Sequence, residues 1–312
     1  MKKKITIGTR GSQLALYQAY KVKDTLKEAH RSLQVDIEII HTKGDKILDV
    51  ALSKIGDKGL FTKEIEVALI NKSVDIAVHS CKDLPTQLPE GLELGAVLER
   101  GEFRDALVSL SGKKLSELTE NDVIATSSLR RQAALLNIHP NVQLKDIRGN
   151  VQTRLNRMTE GYCDAMIMAA AGLQRLKLDQ YITEIIDPEV VMPAVAQGAI
   201  AIEIRQNDPE VMEILQAFNH QPTWTAILAE RAFLRTLEGG CQVPLGCYSQ
   251  IENNSITLHG FVASIDGKEF LKDTATGTID NPEKCGKDLA LKLLNRGAGV
   301  ILDEIKKKSK KA

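Results

Sequence analysis

Val123-Ile-Ala-Thr-Ser-Ser-Leu-Arg-Arg-Gln-Ala-Ala-Leu-Leu136 reads as a short buried strand, a hydroxyl turn and an amphipathic helix with Arg130 and Arg131 in its first turn. β-Branched residues favour the strand, and Ser127 and Ser128 stand where helix N-caps belong. The scheme then repeats. Gln143 to Ile147 reads as a strand, Arg148-Gly149 turns, Asn150 caps, and Arg154 falls in the next helix. Ala165-Met-Ile-Met-Ala-Ala-Ala171 is a third strand, with Gly172 and Arg175 expected to open a third helix. Strands alternating with helices predict an α/β fold built on open sheets. In such sheets ligands bind outside the carboxyl ends of the strands, and here three junctions bring arginine to that edge. Between Thr126 and Lys177 there are eight basic residues (130, 131, 145, 148, 154, 157, 175, 177) against three acids (146, 160, 164), so the expected partner is a compact anion. Guanidinium forks pair with carboxylate or phosphate, and helix N-termini add free amides. No Gly-x-x-x-x-Gly-Lys-Ser/Thr loop is present, which favours a polycarboxylate over a nucleotide phosphate.

The flanking sequence extends the same architecture. Lys4-Ile-Thr-Ile-Gly8 alternates like a strand and Gln13 to Ala29 has helical spacing, so Thr9-Arg10-Gly11-Ser12 is a strand-to-helix turn capped by Ser12. Val35, Ile37 and Ile39 mark a second strand. A polar loop, Asp45 to Lys58, carries Lys54 and Lys58, and Phe61 precedes a helix from Lys63 to Asn71. Asp75-Ile-Ala-Val-His79 is a buried strand. It runs out into Ser80-Cys81-Lys82-Asp83-Leu84-Pro85, expected as a loop because Pro85 disfavours a helical residue before it. Leu92 to Leu98 is a further strand, and Ala199 to Ile204 returns to the same sheet. The expected division is residues 1–98 with 199–217 as a discontinuous first domain, 104–192 as the second and 221–312 as a small α+β third. Hinges are expected near 99–103 and 193–198. In the third domain, Thr223 to Leu237 and Pro282 to about Ile305 read as helices, and Ile256 to Phe261 and Lys268 to Gly277 as strands.

Composition narrows the function. The 312 residues carry 41 basic and 41 acidic side chains and only 4% aromatics, which disfavours a nucleic-acid binder. Five cysteines (81, 163, 241, 247, 285) form no Cys-x-x-Cys pair, so neither a disulfide framework nor a metal site is expected. No segment approaches 18 uninterrupted apolar residues, and a cytoplasmic location is expected. No Gly-x-Ser-x-Gly elbow is present. His79, inside an apolar strand, reads as a core histidine, and Phe61 alone reads as core. Glu238-Gly-Gly-Cys241-Gln-Val-Pro-Leu-Gly246 sets one thiol on a glycine-shaped turn, open to close approach by another molecule. With Cys247 six residues on, the sequence by itself does not choose between the two thiols.

Six ordered motifs carry a family resemblance: Ser80-Cys-Lys-Asp-Leu-Pro85, Thr126-Ser-Ser-Leu-Arg-Arg-Gln132, Arg148-Gly-Asn-Val-Gln-Thr-Arg154, Ala171-Gly-Leu-Gln-Arg175, Ala196-Gln-Gly198 and Leu237-Glu-Gly-Gly-Cys-Gln-Val-Pro-Leu-Gly246. Together they resemble the porphobilinogen deaminase, or hydroxymethylbilane synthase, family from Gly8 to about Gly246. The resemblance implies three α/β domains, the first two like a periplasmic binding protein with a cleft between them. It implies a dipyrromethane primer held by Cys241 through a thioether. Four porphobilinogen molecules are condensed onto that primer with loss of ammonia, and hydrolysis then releases hydroxymethylbilane for haem synthesis.

The resemblance also assigns roles. Asp83 is the catalytic carboxylate, stabilising the cation left as ammonia departs. Lys82, Asp83, Thr126, Ser128, Arg130, Arg131, Arg148, Arg154 and Gly172 face the cofactor. Arg10, Ser12, Arg148, Arg154, Arg175, Phe61 and Gln197 face the substrate, with Phe61 as a pyrrole-stacking ring and Gln197 at the hinge side. Lys54 and Lys58 belong to a mobile loop over the cleft, and the family is typically monomeric. Cys81 departs from the apolar residue usual at its position. The competing expectation is a non-catalytic two-domain receptor for a small polycarboxylate, which leaves Cys241 and Asp83 idle.

Overall fold

The computed structural model describes residues 2–46, 59–238 and 243–309. These divide into two compact units: residues 2–46, 59–101 and 198–224 in the first, and 102–197 with the described residues from 225 onward in the second. In unit one, strands β1 (Lys4–Thr9), β2 (Gln34–Ile39), β3 (Ile76–Ser80), β4 (Leu92–Val97) and β10 (Ile200–Arg205) form one sheet in the order β2-β1-β3-β10-β4. β1 runs parallel to β2 and β3, whereas β10 is antiparallel to both its neighbours. Helix α1 (Gln13–Ala29) starts at Ser12, whose Oγ accepts from the Ala15 amide at 3.3 Å, and it buries Ala19, Val22 and Leu26 against the sheet. The single-turn α2 (Lys43–Lys46), then α3 (Lys63–Ile70) and α7 (Pro209–Gln216), complete the unit. The cap and the alternation of Ile5 and Ile7 are local signals, so sequence and structure agree here. His79 is a core residue, 3.2 Å from Oε2 of the buried Glu203 on β10.

Unit two carries two sheets. The first has β5 (Asp105–Ser109), β6 (Val123–Ala125), β7 (Gln143–Lys145), β8 (Ala165–Ala169) and β9 (Glu184–Ile185), in the order β7-β6-β8-β5-β9. Here β6 is parallel to β7 and β8, and β5 is antiparallel to β8 and β9. Both five-stranded sheets thus share one plan, in which three parallel strands meet a fourth, antiparallel one. The fold is α/β, with two five-stranded mixed sheets and a small α+β part built on a third sheet.

Helices α4 (Leu129–Ile138) and α5 (Val151–Thr159) follow β6 and β7 as the sequence predicts. Helix α6 (Ala170–Arg175) begins two residues before Gly172, so Arg175 lies in its last turn rather than its first. The third sheet is the antiparallel meander β11 (Leu245–Glu252), β12 (Ser255–Ala263) and β13 (Phe270–Thr278). Helix α8 (Gln221–Thr236) precedes it, and α9 (Pro282–Leu293) and α10 (Gly299–Ser309) follow. The sequence suggested one continuous helix to about Ile305. Gly297, at φ 102°, breaks it in two, a conformation glycine adopts without steric cost.

Candidate active site

In unit two the junctions after β6 and β7 converge. The β6–α4 turn is tied down by Ser127, whose Oγ donates to the Ile147 carbonyl at 3.0 Å and accepts from the Ile147 amide at 2.9 Å. Ser128 occupies the cap position of α4, and its amide donates to Thr126 Oγ1 at 3.3 Å. The β7–α5 turn uses Gly149 at φ 109°, and Asn150 caps α5 by accepting from the Thr153 amide at 2.8 Å. A β-carbon at Gly149 would lie 2.8 Å from Thr153 Cγ2, so the turn needs glycine for both its angle and its space.

These turns set Arg130 and Arg131 inward, only 5% and 7% exposed. Each donates one Nη2 to Asp105, at 2.8 Å and 2.7 Å. Their Nη1 atoms donate to carbonyls, Arg130 to Met192 and Arg131 to Ile167 at 3.0 Å. Asp105 is fully buried at the start of β5 and also accepts from Gln197 Nε2 at 2.9 Å. Burial opposes charge on this carboxyl, but the two guanidinium groups outweigh it and hold Asp105 well below the ordinary carboxylate range. Sequence reasoning alone does not single out Asp105. The available signal was its chemistry: an acid heading the apolar run Ala-Leu-Val is buried, and a buried acid needs cations.

Arg148 and Arg154 add to this cluster. Arg154 Nε donates to the Gly149 carbonyl at 2.8 Å. Burial lowers the Arg154 pKa to about 10, helped by the like charges of Arg131 and Arg148, so it stays charged at neutral pH. Two buried donors, Arg131 Nε and Arg148 Nη1, have no acceptor among the described residues. Crowded cations with orphaned N–H groups are costly, and a carboxylate relieves both the repulsion and the unmet hydrogen bonds. The donor set therefore fits a group bearing acetate and propionate arms. Buried Gly172 and half-buried Arg175 lie on α6 in the same unit.

In unit one, Cys81–Asp83 form a single 3-10 turn at the carboxyl end of β3 rather than an irregular loop. Cys81 is buried, with its amide donating to the Ala199 carbonyl at 3.0 Å, while Lys82 is half-buried and Asp83 is exposed. Buried Gln18 on α1 donates to Ser80 Oγ at 2.8 Å, tying the helix to the base of this turn. Arg10 leaves the carboxyl end of β1, and its guanidinium lies 4.3 Å from the centre of the Phe61 ring. The ring thus engages a cation on its face, a contact that the sequence alone did not suggest. Cys241, Lys54 and Lys58 fall outside the described residues. The other four cysteines are buried, and burial pushes the Cys163 thiol up to about 11.

Two family models match the chain: "Porphobilinogen deaminase, dipyromethane cofactor binding domain" over residues 5–213, and "Porphobilinogen deaminase, C-terminal domain" over 224–295. A porphobilinogen deaminase of Synechococcus elongatus is 52% identical over 304 residues, covering 96% of this chain and 95% of that protein. One from Moorella thermoacetica is 50% identical over 307 residues, covering 98% of each. Identity at this level over nearly the whole length leaves one assignment: the chain belongs to the porphobilinogen deaminase family, enzymes that carry a dipyrromethane cofactor.

Proposed function

We propose that the chain joins four porphobilinogen units head to tail with release of ammonia, using Cys241 as the attachment point, the unit-two arginines as the carboxylate grip and Asp83 as the catalytic group. The observation that carries the grip is the pair of buried, acceptor-less donors, Arg131 Nε and Arg148 Nη1, beside the charge-crowded Arg154. The dipyrromethane supplies the pyrrole end to which each new unit is joined. Arg131, Arg148 and Arg154 bind its acetate and propionate arms, with Lys82, Thr126, Ser128 and Gly172 completing the cofactor contacts. Arg130 contributes through its lock on Asp105. Arg10, Ser12, Arg175 and Phe61 orient the incoming substrate, buried Gln197 contributes through Asp105 rather than by facing the substrate, and Lys54 and Lys58 complete the assignment as loop residues.

Asp83 suits its role because a carboxylate stabilises the positive charge that develops as ammonia leaves, and it can accept the proton the pyrrole then gives up. Cys241 is supported by the state of the other thiols. A buried thiol with a raised pKa, such as Cys163 or Cys285, is a poor nucleophile, and Cys247 is fully buried. No described helix is long and apolar enough to cross a membrane. The proposal includes a cytoplasmic, monomeric enzyme with domains at 1–98 with 199–217, 104–192 and 221–312, and with hinges near 99–103 and 193–198.

The test is incubation with porphobilinogen, followed by assay of ammonia and of porphyrin formed on acid oxidation. Cys241→Ser is expected to lose a covalent adduct of dipyrrole mass from the intact protein, with turnover lost as well. An unchanged adduct would reassign the thiol, and binding without ammonia release would mark a receptor.

A further inference from the structure

In unit two the segment from Met192 to Gln197 is gripped from both sides. On one side Arg130 Nη1 donates to the Met192 carbonyl, and Gln197 Nε2 donates to Asp105 at 2.9 Å and to the Phe103 carbonyl at 2.8 Å. On the other side the Cys247 amide donates to the Pro193 carbonyl at 3.1 Å. Gly246 lets β11 come this close, since a β-carbon there would sit 2.7 Å from the Pro193 oxygen and 3.0 Å from that of Met192. The fixed point of the segment is Ala196. Its φ is 59°, a left-handed conformation that a side chain disfavours, and its amide donates to Glu230 Oε2 at 2.7 Å. Glu230, on α8, is fully buried and accepts from Ser249 Oγ on β11 at 2.8 Å through its other oxygen. A continuous path therefore leads from β11, which begins four residues after Cys241, through Glu230, Ala196, Gln197 and Asp105 to Arg130 and Arg131.

We propose that Glu230 is a positioning residue for carboxylate binding. By holding Ala196 left-handed it seats Gln197 on Asp105, and Asp105, locked by Arg130, then sets Arg131 in the pose that binds the acid arms of the pyrrole chain to which each substrate is joined. Glu230 touches no reacting atom and acts through this path. The inference rests on the functional reading above.

The experiment measures KM and kcat for porphobilinogen, with melting temperature, on the holoenzyme and its variants. Glu230→Ala removes the buried acceptor and is expected to raise KM about tenfold while kcat stays within about threefold. Adding Ala196→Gly, which adopts the left-handed angle unaided, is expected to bring KM back to within about twofold of the unsubstituted enzyme. Glu230→Gln keeps the volume and one acceptor, so it serves if the alanine variant does not fold; its expected rise in KM is about threefold, again reversed by the glycine. A residue that merely stabilises the fold would lower the melting temperature and leave KM alone. Unchanged KM in the folded Glu230 variants, or a raised KM that Ala196→Gly does not lower, overturns the proposal. Failure of the unsubstituted enzyme to release ammonia would overturn the functional reading, and this inference with it.

Discussion

The two charged regions hold their charges in opposite ways. In unit two, Arg130, Arg131 and Asp105 are buried and both arginines are paired with Asp105 before any ligand arrives, while Arg131 Nε still lacks an acceptor among the described residues and the neighbouring Arg154 is crowded by like charge. In unit one, Asp83 is exposed on a single 3-10 turn, Lys82 is half-buried, and Arg10 rests over an aromatic ring. A buried charge is coupled to folding because removing its partner leaves an unsolvated ion, whereas an exposed one titrates and moves at little cost to stability. The lesson is a division of labour. On the proposed reading, the grip on carboxylates is built into the core of one unit, and the proposed catalytic Asp83 is exposed on the other.

The largest test of that contrast is Asp105→Asn, which leaves two buried guanidinium groups against a neutral amide. The expected loss is about 3–5 kcal/mol, read from urea unfolding. A loss below about 1 kcal/mol would mean that the arginines find other partners and that the core grip is not prebuilt. The sign with pH follows from the direction of the shift. The folded-state pKa of Asp105 is depressed, so its contribution is fully present above its ordinary value of 3.8 and fades as pH falls below it. The Asn variant is therefore expected to lose less stability than the parent on acidification. Asp83→Asn should behave in the opposite manner. Turnover is expected to fall at least about 100-fold, with the melting temperature and the covalent adduct unchanged. A melting temperature that fell with activity would place Asp83 in the same structural class as Asp105.

What the sequence displayed follows the same divide between local and distant causes. Ser12 and Asn150 were legible as caps because a cap is decided by neighbours within a single turn. Lys82 and Asp83 were legible because β3 is an uninterrupted apolar strand ending just before them. Asp105 is not, since its meaning lies in arginines 25 and 26 residues away, and the short β5 it heads, next to the hinge expected near 99–103, is not among the strands the sequence predicts. β11 was hidden for a related reason: Leu245 to Tyr248 are buried in succession, so the half-buried alternation that marks a strand is missing. Arg130 and Arg131 read as anion binders from their position in a first helical turn, and the anion the structure sets on them is the Asp105 carboxylate. Their burial against Asp105 is tertiary and left no periodic trace. Cys241 was singled out by its motif alone, and it lies outside the described residues.

The smallest effect in stability probes the contrast from inside the cluster. Arg148 contributes a buried donor without an acceptor, and its charge is among the causes that lower the pKa of Arg154. Replacing it with glutamine removes one of the two like charges that act on Arg154 while keeping a polar side chain. The ligand-free fold is therefore expected to gain about 0.5 kcal/mol, the scale of a single like-charge contact. The same substitution removes a charged hydrogen-bond donor to a carboxylate, so KM for porphobilinogen is expected to rise about tenfold. Stability and binding would then move in opposite directions, which happens only where a site holds unfavourable charge in readiness for a ligand. Unfolding and steady-state kinetics on one preparation decide it. If Arg148→Gln lowered both stability and affinity, Arg148 would be a structural cation like Arg130, and the repulsion around Arg154 would have to be balanced within the fold rather than by the substrate.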